Sequence, residues 1–219
     1  MLKRYKTVFG YGEAEHVIEK SRFIGYVKPI GSEEEAIEFI EMIKTRHKNA
    51  THNVPVYIFG ENSEIQRYSD DGEPAGTAGV PILDMLKKED IKNTVIVVTR
   101  YFGGIKLGTG GLVRAYTSTA KLALNEAKVI EKVLYHTIKI RIDYSWLGKV
   151  QNEILNRGYV IKDTVFDDAV NLYVYVKMDE RDEMIKQVLN LTSARAEIGV
   201  VDTLYLNEYD GVLMGESFF

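Results

Sequence analysis

Hydrophobic and polar positions along the chain change period several times, and each change marks an element. β-Forming residues cluster over Ala14 to Lys20 and Arg22 to Ile30, with Ser21 between them and Pro29-Ile30-Gly31 closing the run, which predicts two strands. Ser32 followed by Glu33, Glu34 and Glu35 reads as a capping box, and Ala36, Ile40 and Ile43 recur at helical spacing, so a helix is expected from Ser32 to about Lys48. Val54 to Phe59 and Ile65 to Tyr68 read as strands about a turn at Gly60 to Ser63, with Pro55 placing the first at an edge or a bulge. After the loop Ser69 to Pro74, a helix starts at Thr77 or Gly79, carries Pro81 in its first turn and ends near Asp90. Thr94 to Thr99 is a continuous β-branched run, as expected of a central strand buried on both faces. Leu112, Tyr116, Thr119 and Ala123 then mark a helix to about Lys128.

Beyond Val129 the pattern predicts strand Val133 to Ile142, helix Ser145 to Arg157 stopped by Gly158, strands Tyr159 to Phe166 and Val170 to Lys177, helix Asp179 to Leu191 and strand Arg195 to Tyr205. That βαββαβ order is the ferredoxin-like split unit, which makes the chain α+β with domains at residues 1–130 and 131–219. No linker rich in Pro, Gly or Ser separates them, so they are expected to pack together. The chain ends in Phe218-Phe219, whose order the pattern leaves open.

Composition narrows the class. A 45% hydrophobic and 27% charged chain of 219 residues reads as soluble and globular. With no cysteine there is no disulfide, thiolate zinc site or cysteine nucleophile. The start MLKRYKTVFGYGE has no apolar run of signal-peptide length and no later segment is apolar enough to span a bilayer, so a cytoplasmic protein with no membrane partner is expected. A net charge of -4 argues against a uniformly basic nucleic-acid coat but not against a local basic patch.

Two loops carry the candidate chemistry. The second, Tyr101 to Gly111, contains neither a Walker A sequence nor the G-x-G-x-x-G spacing of a dinucleotide fold. It places Gly108, Thr109, Gly110 and Gly111 before a helix, with Arg100, Lys106 and Arg114 as nearby charges and Tyr101, Phe102 and Tyr116 as stacking faces. That composition suits phosphate contact with base stacking, and equally a tight strand-to-helix turn. The first loop brings Asp70, Asp71 and Glu73 within four positions, with Arg67 just before them and His52 upstream. These residues could act as metal ligands or acid–base groups; the preferred expectation is a rigid, partner-facing wall with no metal and no cofactor. His47 and His52 form an H-x4-H spacing at a helix-to-strand junction where the imidazoles need not converge, and Ser69, Ser118 and Thr109 have no triad context. Tyr173, Tyr175, Lys177 and Arg141 alternate either as an RNA-binding sheet face or through strand packing alone.

Long runs add a family resemblance. His52-Asn53, YSDDGEPAGTAG from Tyr68, VTRYFGGIKLGTGGLVRAY from Val98 and SRFIGYV from Ser21 resemble the hallmark segments of the Impact family, whose bacterial branch is the YigZ-like proteins; the match spans Gly12 to Lys128. Val54-Pro55-Val56 replaces the family's more usual aromatic-containing sequence before Tyr57. The βαββαβ half looks like that branch's second domain, which resembles the C-terminal domain of elongation factor G. The resemblance implies a ribosomal protein S5 domain 2-like fold for the first half and a link to translation. Eukaryotic members restrain a starvation-responsive initiation-factor kinase pathway through a partner on the ribosome, using an additional N-terminal domain that this chain is expected to lack. The bacterial branch has no established reaction. The expectation is therefore a non-catalytic cytoplasmic protein that binds RNA, the ribosome or translation factors and regulates translation under stress, as a monomer or a homodimer. The alternative is a metal-assisted or acid–base enzyme acting on a phosphorylated or peptide-like substrate.

Overall fold

A computed structural model describes residues 1–214; Phe218 and Phe219 lie outside the described residues. The described residues divide into two compact units, Met1–Glu131 with Asn207–Val212, and Lys132–Leu206 with residues 213–214. The first unit contains β1 (Arg4–Val8), β2 (Gly12–Ile18), β3 (Ser21–Pro29), α1 (Glu33–Arg46), β4 (His52–Phe59), β5 (Ile65–Tyr68), α2 (Gly79–Lys88), β6 (Thr94–Tyr101) and α3 (Gly108–Ala127). Then follow β7 (Val129–Ile142), a 3-10 turn at Tyr144–Trp146, α4 (Leu147–Asn156), β8 (Val160–Phe166), β9 (Val170–Lys177), α5 (Arg181–Leu191), β10 (Glu197–Tyr209) and β11 (Val212–Leu213).

In the first unit β6 lies at the middle of a five-stranded antiparallel sheet of order β2-β3-β6-β4-β5. Its β-branched run is explained by two cores. Val95 and Val97 pack with Ile24, Tyr26 and the α1 residues Ala36, Phe39, Ile40 and Ile43, while Ile96 and Val98 pack with Phe23, Val27 and the apolar sides of α2 and α3. A strand covered on both faces has no polar side to show, so alternation disappears from its sequence. The α1 start matches its sequence signal: Ser32 Oγ accepts from the Glu35 N–H, and the Glu35 carboxylate accepts from the Gly31 N–H.

β4 is an interior strand, pairing with β6 on one side and β5 on the other, but β5 pairs only with Val56–Phe59, so Pro55 stands at a local edge and at no bulge. The N and C=O of one antiparallel residue point the same way, and the Pro55 carbonyl accepts from Ser69 N–H at 3.1 Å just past the end of β5. Its missing N–H therefore faces the side where β5 has already ended, and the ladder to β6 loses nothing.

In the second unit the sheet order β10-β7-β9-β8, with helices after the first and third of the unit's strands in sequence, is the ferredoxin-like arrangement. Ile138, Ile140, Leu172 and Val174 face Val150 and Ile154 of α4 and Met184 and Val188 of α5. Gly158, at φ +79, ends the turn after α4. The opposite face carries Lys139, Arg141, Tyr173 and Tyr175; Tyr175 is half-buried, edge-on to Tyr135 and beneath the Lys162 ammonium. Among the described residues no helix is long and apolar enough to cross a membrane.

α3 lies close against β3 at Gly25, where a Cβ would lie 2.8 Å from the Thr119 carbonyl oxygen. Gly25→Val should lower unfolding stability by about 1–3 kcal/mol through overpacking, measured by urea denaturation; an unchanged midpoint would show that α3 yields freely.

Candidate functional site

Register across the sheet assembles the site. Phe23 of β3, Arg100 of β6 and His52 of β4 stand opposite one another in one row. Phe23 belongs to the core beneath α2 and α3, so Arg100 and His52 face that same side. The acidic loop, residues 69–78, brings Glu73 into this row. Its Oε1 accepts from Arg100 Nη1 at 2.5 Å and from the Tyr116 hydroxyl at 2.8 Å, and lies 3.7 Å from His52 Nε2. Arg100 is 5% exposed and Glu73 8% exposed. The guanidinium also donates to Ser21 Oγ at 3.4 Å and is held between the rings of Phe23 and Phe102. Burial first, then the Glu73 charge, raises the Tyr116 hydroxyl far above its ordinary pKa, so it remains a donor.

The other two carboxylates are used by the backbone. Asp70 accepts from the Gly76, Ala78 and Gly79 N–H groups and thereby caps α2. Asp71 Oδ2 accepts from Asn53 N–H at 2.6 Å, continuing the edge of β4 where β5 has stopped. The Asp71 carbonyl faces His52 Nδ1 at 2.7 Å, which places the proton on Nδ1 and leaves Nε2 toward Glu73. Arg67 stands opposite Tyr57 on the α1 side of the sheet, 4.0 Å from Glu33, and does not reach this group. Of the acid–base candidates, His52 and Glu73 come together; the side chains of Asp70, Asp71 and Arg67 are engaged elsewhere, Asp71 touching His52 through its backbone carbonyl alone.

The two histidines of the H-x4-H spacing serve opposite faces. His47 is buried on the α1 side, with Nε2 2.6 Å from the Tyr26 hydroxyl and Nδ1 2.8 Å from the Tyr101 hydroxyl. Tyr101 is thereby tied to α1 and half-buried, and Tyr116 is fully buried. Of the three aromatics expected as stacking faces, Phe102 is the exposed one.

Residues 102–107 form the mouth. Gly103 N–H donates to Ser21 Oγ at 3.1 Å, and a Cβ on Gly103 would lie 2.0 Å from the Lys20 carbonyl carbon, so the loop lies flush on the β2–β3 turn. Gly108, at φ +69, belongs to the first turn of α3 instead of preceding it, as do Thr109, Gly110 and Gly111. Leu107 occupies the cap position without a side-chain hydrogen bond, and no acidic residue is in that first turn. The N–H groups there therefore keep their positive field. They border a cavity of about 440 Å³ lined by Thr51, His52, Phe102, Lys106, Gly108 and Thr109 among others. Lys106 also borders, with Arg114, a groove of about 1200 Å³ between α2 and α3. Ser21 and Thr51 had no sequence signal as site residues, because register and loop closure alone bring them here; Tyr116, expected as a stacking face, instead donates to Glu73 from within the core.

Comparison with known proteins places these features in context. The family described as Impact N-terminal domain matches residues 19–124, and one described as Domain of unknown function (DUF1949) matches residues 140–195. IMPACT family member YvyE of Bacillus subtilis is 45% identical over 208 residues, covering 95% of this chain and 96% of its own. A crystal structure of a hypothetical protein aligns over 92% of this chain and 99% of its own at 27% identity, with a TM-score of 0.58. A structure of the two-domain translational regulator Yih1 aligns over 54% of this chain and 47% of its own at 26% identity, with a TM-score of 0.40.

Two measurements test this arrangement. Glu73→Gln leaves the buried Arg100 without its counter-charge and should cost about 3–5 kcal/mol, most of it recovered when Arg100→Met is added; urea titration of both variants reads this, and a mild single variant counts against the pair. Burial, then Arg46 and Arg22, lowers the His47 pKa below its ordinary 6.5. The unfolded chain therefore binds the proton first, and stability is full above that value and falls as pH drops through it. His136 is lowered by burial in the same direction. His47→Gln should flatten, without abolishing, the loss of unfolding stability between about pH 7 and pH 5; a slope equal to wild type would remove His47 as its source.

Proposed function

This chain belongs to the Impact family, and from that premise we propose that it is a non-catalytic, cytoplasmic binding protein that engages RNA or the ribosome and acts on translation. In this reading residues 1–130 form the binding domain and residues 131–219 a second domain. The translation context follows from family membership. The contact surface follows from the site, and the observation that carries it is the uncapped, acid-free first turn of α3 opening on a cavity beside Lys106 and Phe102.

Backbone N–H groups at a helix start favour an anion, Lys106 adds an exposed cation, and the exposed Phe102 ring offers a base a stacking surface. A cavity of about 440 Å³ falls in the range of small-ligand pockets and admits one nucleotide unit. Arg114, exposed on the next turn of α3, adds a second cation along the groove, whose lining also includes Asp84 and Glu89. Arg100 has a different part, since its charge is neutralised by Glu73 within the protein. Glu73, paired with Arg100, lies at the buried end of the pocket with His52 beside it, and the rest of the acidic loop, fixed by its own hydrogen bonds, forms the wall behind it.

Binding should be salt-sensitive and tolerant of sequence. Lys106→Ala and Arg114→Ala should each weaken the association of single-stranded RNA or ribosomes about equally across sequences and reduce the slope of log K against log salt by about 1. Fluorescence anisotropy with labelled RNA and co-sedimentation with ribosomes read the two partners separately. Failure of the wild-type protein to associate with either, even at low salt, would end this reading.

A further inference from the structure

The outer strand of the second unit's sheet is β8, and its outward backbone N–H and C=O groups have no strand partner among the described residues. Such an edge is a template for another chain, and proteins guard it with charges and bulges. β8 has both at its centre, Lys162 and Asp163 at a register shift against β9. Around them, however, it exposes Val160 by 41%, Val165 by 37% and Phe166 by 59%, with Phe166 stacked on the exposed Tyr144 ring at 6.3 Å. An apolar edge interrupted by one cation and one anion repels a generic strand but complements its own reverse.

Faces decide the register. Val160, Asp163 and Val165 pair with Tyr175, Tyr173 and Asn171 on the side away from α4 and α5, and Lys162 reaches over the Tyr175 ring on that side. Ile161 and Thr164 pair with Val174 and Leu172 on the helix side. We propose that β8 pairs antiparallel with β8 of a second copy of this chain, about a two-fold axis passing between residues 162 and 163. Lys162 then faces Asp163 of the second copy twice, Val160 faces Val165 twice, and Ile161 faces Thr164 twice. Every pair shares a face, as cross-strand neighbours must. A slip of one residue sets Lys162 against Lys162 or Asp163 against Asp163 and turns helix-side residues toward open-side ones. Because the contact is isologous it closes as a dimer and joins the two sheets edge to edge without propagating into a fibre.

Sedimentation velocity on the full chain over a concentration series tests this. Wild type should show a monomer–dimer equilibrium. Lys162→Glu and Asp163→Lys should each weaken it about tenfold, because each sets like charges opposite one another twice. An equimolar mixture of the two variants should regain wild-type association, since both charged contacts are then opposite in sign again. Val165→Asp, also on the exposed edge, should weaken association alongside them and serves if either charge variant fails to fold by circular dichroism. A wild type that stays monomeric throughout, edge variants that associate like wild type, or folded charge variants that do not complement one another would each overturn the proposal.

Discussion

The buried pair of Glu73 and Arg100 is the constraint from which the rest of the first unit follows. Two opposite charges removed from water cost several kcal/mol each unless geometry and extra hydrogen bonds compensate. Here Tyr116 gives the carboxylate a second donor, Ser21 accepts from the guanidinium, and the rings of Phe23 and Phe102 cover its faces. Those residues come from the start of β3, the end of β6, the acidic loop and the body of α3, so satisfying one ion pair draws together the parts that surround the pocket. With that pair neutral, the field at the mouth is left to the α3 start and Lys106.

The acidic loop then has a precise division of labour. Its first carboxylate caps α2, its second substitutes for a missing strand against β4, and its third enters the core. A loop bound at three points is a wall, and a wall next to an open helix start suits recognition by fixed N–H groups more than a lid that must move. His47 ties the opposite face: by bonding Tyr26 and Tyr101 it anchors the end of β6, and with it the beginning of the mouth, to α1.

The second unit follows a simpler rule. Its helices cover one face of the sheet, and the β8 edge has no strand partner among the described residues. A cluster of apolar side chains around a charge pair at such an edge is a feature that packing within one chain does not require.

Much of this was legible in the sequence. The continuous run Thr94 to Thr99 announced a doubly covered strand, Ser32 and its glutamates announced α1, and the order of periods in the second half announced a ferredoxin-like unit, because these depend on residues close along the chain. The Impact resemblance was likewise carried by contiguous residues. Tertiary structure alone decided the rest. Pro55 stands at a local edge of an otherwise interior strand, and only the pairing of β4 shows which way its missing donor points. Arg100, which sequence grouped with the anion-binding cations, is neutralised by a carboxylate 27 residues away. His47 and His52, five positions apart, serve opposite faces. Periodicity specifies which side of an element is apolar; it cannot specify which charge meets which across a sheet, because those partners are chosen by register and loop closure, not by spacing along the chain.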